Sequence, residues 1–457
     1  MEESAFLKKV CQIEQDFNLS QETILGAPLW RIVRYQTRLF YVNAQTGYVA
    51  TAHTEPMIGT PHLKLFSGLN HYKGNHQISL FFPFNRLVYS NGIYLDKFID
   101  PVVKEASLSK SDFVIIDPPS YVGNYNREHK KQTIDNESRT VQQQLLYYLF
   151  RLLTPLFLRN RIKGLFNKAQ NAFGIPDEFL SRYYKQVALF LAKYYYYLYW
   201  FRIIKPKRVF VVYREGYFAQ IAVCKKLGIP VAEFQHGITL DDTVSFAGEY
   251  DPRIDPDYFL VFGDYWKGPQ FGMPLDRIVN IGWAYSKYLQ KTVAPNADKH
   301  VNEVLVISSP EISDAVLDAL KVLSEAHGDF CFDIRLHPCE SYNDSQKLKL
   351  QSIPKAQVVD NKTDCALVLP TYKYVVGENS SVIYEALSVG CKVGMLNLCG
   401  LRPAIDLSGI KENFFVINDA KDFEQFLSED KISSASKAEF YSDFDSEAFM
   451  KFINEKM

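Results

Sequence analysis

Cysteine is scarce in this 457-residue chain, with seven residues at Cys11, Cys224, Cys331, Cys339, Cys365, Cys391 and Cys399 and no CxxC pair among them. An odd count without paired spacing excludes a disulfide framework and a thiolate zinc site, so small core residues in a reducing cytosol are expected. Charge of neither sign is in excess. The formal net charge is -1, which leaves no broad attraction for nucleic acid, and no nucleic-acid partner is expected. No run of about 18 uninterrupted apolar residues occurs, and the N-terminal MEESAFLKKVCQIEQDF has no apolar signal core. A cytoplasmic location without a membrane span is the expectation. GxxxxGKS/T is absent, as is GxGxxG after a strand, which disfavours an ATPase and a dehydrogenase. No DxD motif stands out, so neither a metal nor another cofactor is expected.

What is present is enough apolar residue, 47% of the chain, to build the cores of two α/β domains. Residues 1 to about 110 give mixed signals, including short β-like runs at Leu39 to Val42 and Ile78 to Phe82. Asp112 to Asp117 (DFVIID) is a buried-strand candidate stopped by Pro118 and Pro119. Ser138 to Lys205 has a helical pattern broken near Pro155 and near Gly174 to Pro176. It holds the aromatic run Tyr194 to Tyr197, Tyr199, Trp200 and Phe201, which reads first as a helix packed on the sheet. From Gln143 to Lys168, Leu, Tyr and Phe interleave with Arg151, Arg159, Arg161 and Lys163, a basic amphipathic pattern suited to peripheral contact with anionic lipid.

From Pro206 onward strands and helices alternate. Arg208 to Tyr213 is a strand, Tyr217 to Leu227 a helix closed by Gly228, and Pro230 to Phe234 a strand; Tyr258 to Phe262 and Arg277 to Ile281 continue the series. The polar stretch from Ser286 to His300 is the linker candidate. A second series follows: strand Val304 to Ile307, a helix opened by Ser309 and Pro310, and strands at Cys331 to Leu336, Gln357 to Val359 and Tyr374 to Gly377. Then come a helix from Val382 to Val389, strands Lys392 to Leu396 and Phe414 to Ile417, and a final helix near Phe423. Two doubly wound α/β domains facing a cleft are expected: residues 1–290 with a helical aromatic and basic insertion near 138–205, and residues 291–457.

Three polar clusters fall at expected carboxyl ends of strands. Glu233-Phe234-Gln235-His236-Gly237 combines a glycine that permits close backbone approach with a histidine suited to general-base chemistry. Arg335-Leu336-His337-Pro338 places an imidazole where proline stiffens the backbone, a geometry suited to a phosphate oxygen. Gly377-Glu378-Asn379-Ser380-Ser381 sets two serines at a helix start, where free N–H groups attract phosphate, although plain N-capping is an equal use of serine. Glu385, one turn on, is placed to accept from a ribose. Arg214 and Glu215 follow the strand Arg208 to Val212 and are candidates to hold an acceptor or a sugar carboxylate, or to form a surface ion pair.

The order QHG, RLHP, then SS followed by YEAL and a glycine resembles the GT-B glycosyltransferases of bacterial capsule and lipopolysaccharide assembly, over roughly residues 206 to 400. That group includes sialyltransferases, Kdo transferases and CDP-glycerol transferases. The resemblance implies a donor phosphate held by His337, Ser380 and Ser381, with Arg335, Pro338, Asn379 and Glu385 around the nucleotide. It also implies a base near Glu233 to His236, with Gln235, Arg214 and Glu215 toward the sugar or acceptor. Sialyltransferases carry an acidic pair before the first glycine where this chain has Gln235-His236, so the base is His236 or a carboxylate such as Glu233, Asp241 or Asp242. The expected reaction is transfer of a sugar from a nucleotide-activated donor, with a CMP-linked acidic sugar leading, to a glycan or lipid-linked glycan. A CDP-glycerol-type transferase, a UDP-hexose transferase and a UDP-sugar 2-epimerase are the alternatives.

Overall fold

The computed structural model describes residues 3–46, 62–84, 87–121, 125–135, 137–237, 248–267, 273–292, 300–310, 312–338, 340–361, 363–378, 380–398, 415–429 and 440–457. Its first large sheet holds β1 (Ser79–Phe82), β2 (Phe113–Ile116), β3 (Thr133–Ile134), β4 (Arg208–Val211), β5 (Val231–Phe234), β6 (Tyr258–Val261) and β7 (Ile278–Asn280). They lie in the order β3-β2-β1-β4-β5-β6-β7, every neighbour parallel. The second holds β8 (His300–Ile307), β9 (Cys331–Arg335), β10 (Ala356–Val358), β11 (Tyr372–Gly377), β12 (Lys392–Leu396) and β13 (Phe415–Ile417), in the order β10-β9-β8-β11-β12-β13, again all parallel. Each sheet thus follows the doubly wound order 3-2-1-4-5-6 of a dinucleotide fold. The order reverses between β1 and β4 in one sheet and between β8 and β11 in the other. Two such domains in tandem make the GT-B fold.

Parallel strands covered by helices on both sides are apolar on both faces. Along β4 and the residue after it, Val209 and Val211 join one core while Phe210 and Val212 join another. The helices used below are α1 (Leu29–Thr46), α2 (Val141–Phe157), α3 (Arg159–Phe173), α4 (Phe179–Ile204), α5 (Phe218–Leu227), α6 (Tyr285–Thr292), α7 (Ser313–Ala326), α8 (Ser381–Ser388), α9 (Ala420–Ser428) and α10 (Ser446–Glu455); a further helix, Glu3–Asp16, precedes them. Helix α4 buries Tyr194, Tyr196, Tyr197, Trp200 and Phe201 and leaves Tyr195 and Tyr199 exposed, so the tyrosine run is mostly core. No described helix is long and apolar enough to cross a membrane.

One core runs through both domains, joining Phe81, Phe210 and Phe234 to Leu305, Val375 and Ile383, and it includes Phe449, Phe452 and Ile453 of α10. Residues 440–457 therefore pack against the first domain, although their sequence position falls in the range expected for the second. The Phe449 ring lies 6.1 Å from Phe210 and 6.5 Å from Phe234, and the Arg208 guanidinium donates to the Ile453 carbonyl. Gly282 makes this return possible: it has φ +75° and a Cβ there would stand 2.2 Å from the Asp443 carbonyl oxygen.

Several local expectations are corrected. Leu39 to Val42 belongs to α1, where Trp30, Val33 and Thr37 are buried at helical spacing. The break expected near Pro155 falls at Leu158, between α2 and α3, while Pro155 itself lies inside α2. Pro310 lies in a turn closed by the Ile312 N–H on the Ser309 carbonyl, and α7 starts only at Ser313. The linker candidate is half helix, because Tyr285 and Leu289 of α6 are buried. The helix at Phe423 is not the final one.

Candidate functional site

The register sets the stage. Ile307 pairs with Arg335 and with Gly377, so β8, β9 and β11 end level with one another. At that edge Glu340, buried, ties the strand ends together. One carboxylate oxygen accepts from the Ser308 and Ser313 hydroxyls, both at 2.7 Å, and the other from the His337 N–H at 2.9 Å. The His337 carbonyl in turn accepts from the Glu340 N–H at 2.7 Å. The His337 backbone is thereby fixed while its side chain stays exposed, with Pro338 half-buried in the turn. Gly377 is in close contact: a Cβ there would lie 3.1 Å from Ile307 and from Ile383, so β11 delivers the chain directly into α8. Ser380 caps α8, its hydroxyl accepting from the Val382 N–H at 3.3 Å, and Ser381 opens the helix half-buried. Arg335 is buried and donates to the Asp360 carbonyl at 2.8 Å and to the Thr363 carbonyl.

The facing edge of the first domain is built differently. Phe82 pairs with Val211 and Val211 with Glu233, so Phe84, Tyr213-Arg214 and Gln235-His236 emerge together. Glu233 is fully buried, its carboxylate accepting from Arg214 Nε at 2.5 Å and Arg214 N at 3.0 Å. Burial pushes its pKa up to about 7 against the pull of Arg214. Arg214 also meets Asp255 at 3.2 Å, and Arg31 pairs with the same carboxylate. Gln235 is fully buried; its amide nitrogen donates to the Gly237 carbonyl at 2.9 Å and its oxygen accepts from the Phe262 N–H at 3.0 Å. Half-buried Glu215 accepts from the Tyr213 hydroxyl at 3.0 Å.

His236 lies over Phe84 with ring centroids 5.2 Å apart and against the edge of Tyr213 at 5.4 Å. Burial lowers its pKa to about 4, helped by the cations Arg214 and Lys97 and opposed by a hydrogen bond to the Val212 backbone. The imidazole is therefore neutral at pH 7, with one nitrogen lone pair to accept a proton. Lys97 connects the edges. Its ammonium donates to Glu385 of α8 at 3.0 Å, and Trp266 meets Tyr384 at 5.4 Å nearby. Against burial, the Glu385 and Asp364 carboxylates hold the Lys97 pKa above its ordinary value. Lys97 thus carries one charge that both His236 and Glu385 feel, and the two switch points face the same cleft.

Several sequence-stretch expectations change accordingly. Arg214, expected toward the sugar or acceptor, and Glu233, a candidate base, are buried and paired with each other, Arg214 also with Asp255, while Gln235 is buried on the Gly237 and Phe262 backbone. Arg335 likewise is buried with its guanidinium on the Asp360 and Thr363 carbonyls. His236, His337, Ser380, Ser381 and Glu385 come to the cleft edges. Asp241, Asp242 and Asn379 lie outside the described residues. Two triplets do have DxD spacing: in Asp255-Pro256-Asp257 the first carboxylate meets Arg31 and Arg214 and the second meets Lys225, while in Asp443-Phe444-Asp445 the last caps α10. Among the described residues no group of three or more His, Cys, Asp or Glu could hold a metal ion. Lys97 and Glu340 carry no local motif and were missed; the only trace of Glu340 is its place three residues after His337.

No protein-family model and no curated protein matches the sequence. Among solved structures the chain is similar to the UDP-GlcNAc 2-epimerase from Methanocaldococcus jannaschii, with 11% identity over 82% of this chain and 99% of that one and a TM-score of 0.49. It is similar to the glycotransferase of kitacinnamycin, with 12% identity over 82% and 98% and a TM-score of 0.46. A variant of the wall teichoic acid polymerase TagF aligns with 12% identity over 92% of both chains and a TM-score of 0.44. The strand order and register establish the fold independently of these likenesses.

Proposed function

We propose that the chain is a glycosyltransferase that moves a sugar from a nucleotide-activated donor to a glycan acceptor without a divalent metal. The observation that carries this reading is the meeting of the two carboxyl edges: a neutral, shielded imidazole on one, and a helix N-terminus with an exposed imidazole on the other, joined by Lys97 and Glu385. His236 takes the proton of an acceptor hydroxyl as that oxygen bonds to the sugar's anomeric carbon. The bond to the donor phosphate breaks at the same centre, and the leaving phosphate takes its electron pair to the N–H groups of α8 and to His337. Glu385 accepts from the ribose with the oxygen that Lys97 does not hold.

The donor we infer is a cytidine nucleotide sugar, with a CMP-linked acidic sugar such as Kdo or a sialic acid first. One helix N-terminus and one imidazole suffice for a single phosphate, whereas Arg335 and Arg214 are already engaged internally. The experiment is a thermal-shift screen with CMP, CDP, UDP and GDP, followed by product analysis with and without a glycan acceptor in the presence of EDTA. Stabilisation by CMP or CDP and turnover that requires acceptor are expected. Conversion of the donor sugar without any acceptor would assign an epimerase instead, and stabilisation by UDP or GDP alone would overturn the cytidine assignment.

A further inference from the structure

The insertion between β3 and β4 presents an apolar surface that stands exposed among the described residues. Helix α2 is 17 residues, about 25 Å long at 1.5 Å per residue. Gln143 and Thr154 are buried, and Leu146 and Phe150 pack into the core beside α4, with the Phe150 ring stacked on Tyr195. Its other face repeats at helical spacing through Leu145, Tyr148, Leu149, Leu152 and Leu156 and ends at Phe157; these six side chains are between 47 and 78% exposed. A distant segment extends the same surface. The Lys64 N–H donates to the Arg139 carbonyl at 3.0 Å and the Lys64 carbonyl accepts from the Val141 N–H at 2.8 Å, which brings Leu65 (73% exposed) and Phe66 (78%) to the start of α2. Monomeric proteins rarely expose contiguous apolar patches of this size.

The charge around the patch identifies the occupant. Residues 138–176 contain Arg139, Arg151, Arg159, Arg161, Lys163 and Lys168 and no Asp or Glu, within a chain whose net charge is -1. Arg151, Arg159, Lys163 and Lys168 are exposed. Leucine and aromatic side chains at the centre with arginine and lysine beside them suit a bilayer surface, where the apolar groups enter the acyl boundary and the cations meet anionic headgroups. Two copies of this chain placed patch to patch would instead set these like charges against each other.

We propose that the exposed face of α2, with Leu65 and Phe66, docks on an anionic phospholipid bilayer, lying in its surface without spanning it. The proposal stands apart from the transferase reading, since binding is measured with no donor or acceptor present. The test is flotation with vesicles of phosphatidylcholine alone and of phosphatidylcholine with about a third phosphatidylglycerol. The full chain floats with the anionic vesicles and at least about tenfold less with the neutral ones, and raised salt weakens the difference. The triple variant Leu149→Glu, Leu152→Glu, Leu156→Glu loses at least about tenfold in binding while its melting temperature stays within about two degrees, because these side chains are 47–66% exposed. If that variant does not fold, Leu65→Glu with Phe66→Glu tests the same surface from another segment. The double variant Arg159→Glu, Lys163→Glu loses the preference for anionic vesicles. A full chain that stays with neither vesicle, or apolar-face variants that bind as the unmodified chain does, overturns the proposal. So does a dimer in light scattering that the triple variant splits without any vesicle binding, which would make the face an interface between copies.

Discussion

The two sheet edges that face the cleft carry similarly polar strand ends but use them in opposite ways. In the first domain, Arg214 and Glu233 turn inward and form a buried array with Asp255 and Arg31, Gln235 bonds the Gly237 and Phe262 backbone, and His236 stands at the edge. In the second domain the internal support is Glu340, and His337, Ser380 and Ser381 stand outward above it. The difference teaches that a polar run at a strand end marks a place where the chain departs from ordinary core composition, without saying whether the polar atoms serve a ligand or one another. Desolvation decides. A fully buried carboxylate must find a cation or hydrogen-bond donors within the protein, whereas a side chain at a helix mouth can leave its partner to be supplied from solution.

Arg214→Ala should break the comparison most severely. It leaves Glu233 and half of the Asp255 interaction without a cation in the interior, at a cost of about 3–5 kcal/mol. Urea denaturation measures this, and an unchanged midpoint would show that the array is not a structural support. His236→Ala should leave the fold standing and lower kcat on the order of a hundredfold, the lower end of general-base contributions, because a base with a pKa of about 4 is a weak one.

The same pKa makes a pH prediction. His236 accepts a proton at about 4 when folded and at about 6.5 when unfolded, so its contribution to stability is present above 6.5 and is lost as pH falls toward 4. The acid limb of kcat/KM should accordingly fall near pH 4 and not near 6.5. A limb at 6.5 that disappears in His236→Ala would mean that the imidazole is not shielded in the working enzyme.

On the opposite edge, His337→Ala should reduce turnover by about tenfold or more with little change in melting temperature, since the imidazole is exposed. Near-normal turnover by the purified variant would remove His337 from the site. The smallest effect on the fold is expected from Ser380→Ala with Ser381→Ala, about 1 kcal/mol for the lost cap. Titration calorimetry with the nucleotide should show weakened binding beyond that. Equal affinity in a variant that melts lower would reduce the serine pair to capping alone.

The sequence by itself determined the strand and helix alternation after Pro206, and hence two doubly wound domains, because β-branched runs and helical spacing are local properties that survive without knowledge of partners. It also marked the strand ends at His236, His337 and Ser380, since histidine, glycine and serine there interrupt an apolar pattern. Tertiary structure decided the rest. The β-like run at Ile78 to Phe82 took its central place in the sheet through pairing, and Leu39 to Val42 became part of a helix because burial overrode an ambiguous short pattern. Residues 440–457 crossed back to the first domain through the space that Gly282 leaves, a long-range contact with no local signature. That Arg214, Glu233, Gln235 and Arg335 hydrogen-bond within the protein was likewise decided by burial, which no single sequence reveals and which sets the free-energy cost of leaving a polar group alone. Lys97 joined the site only because folding placed it 3.0 Å from Glu385, 288 residues away.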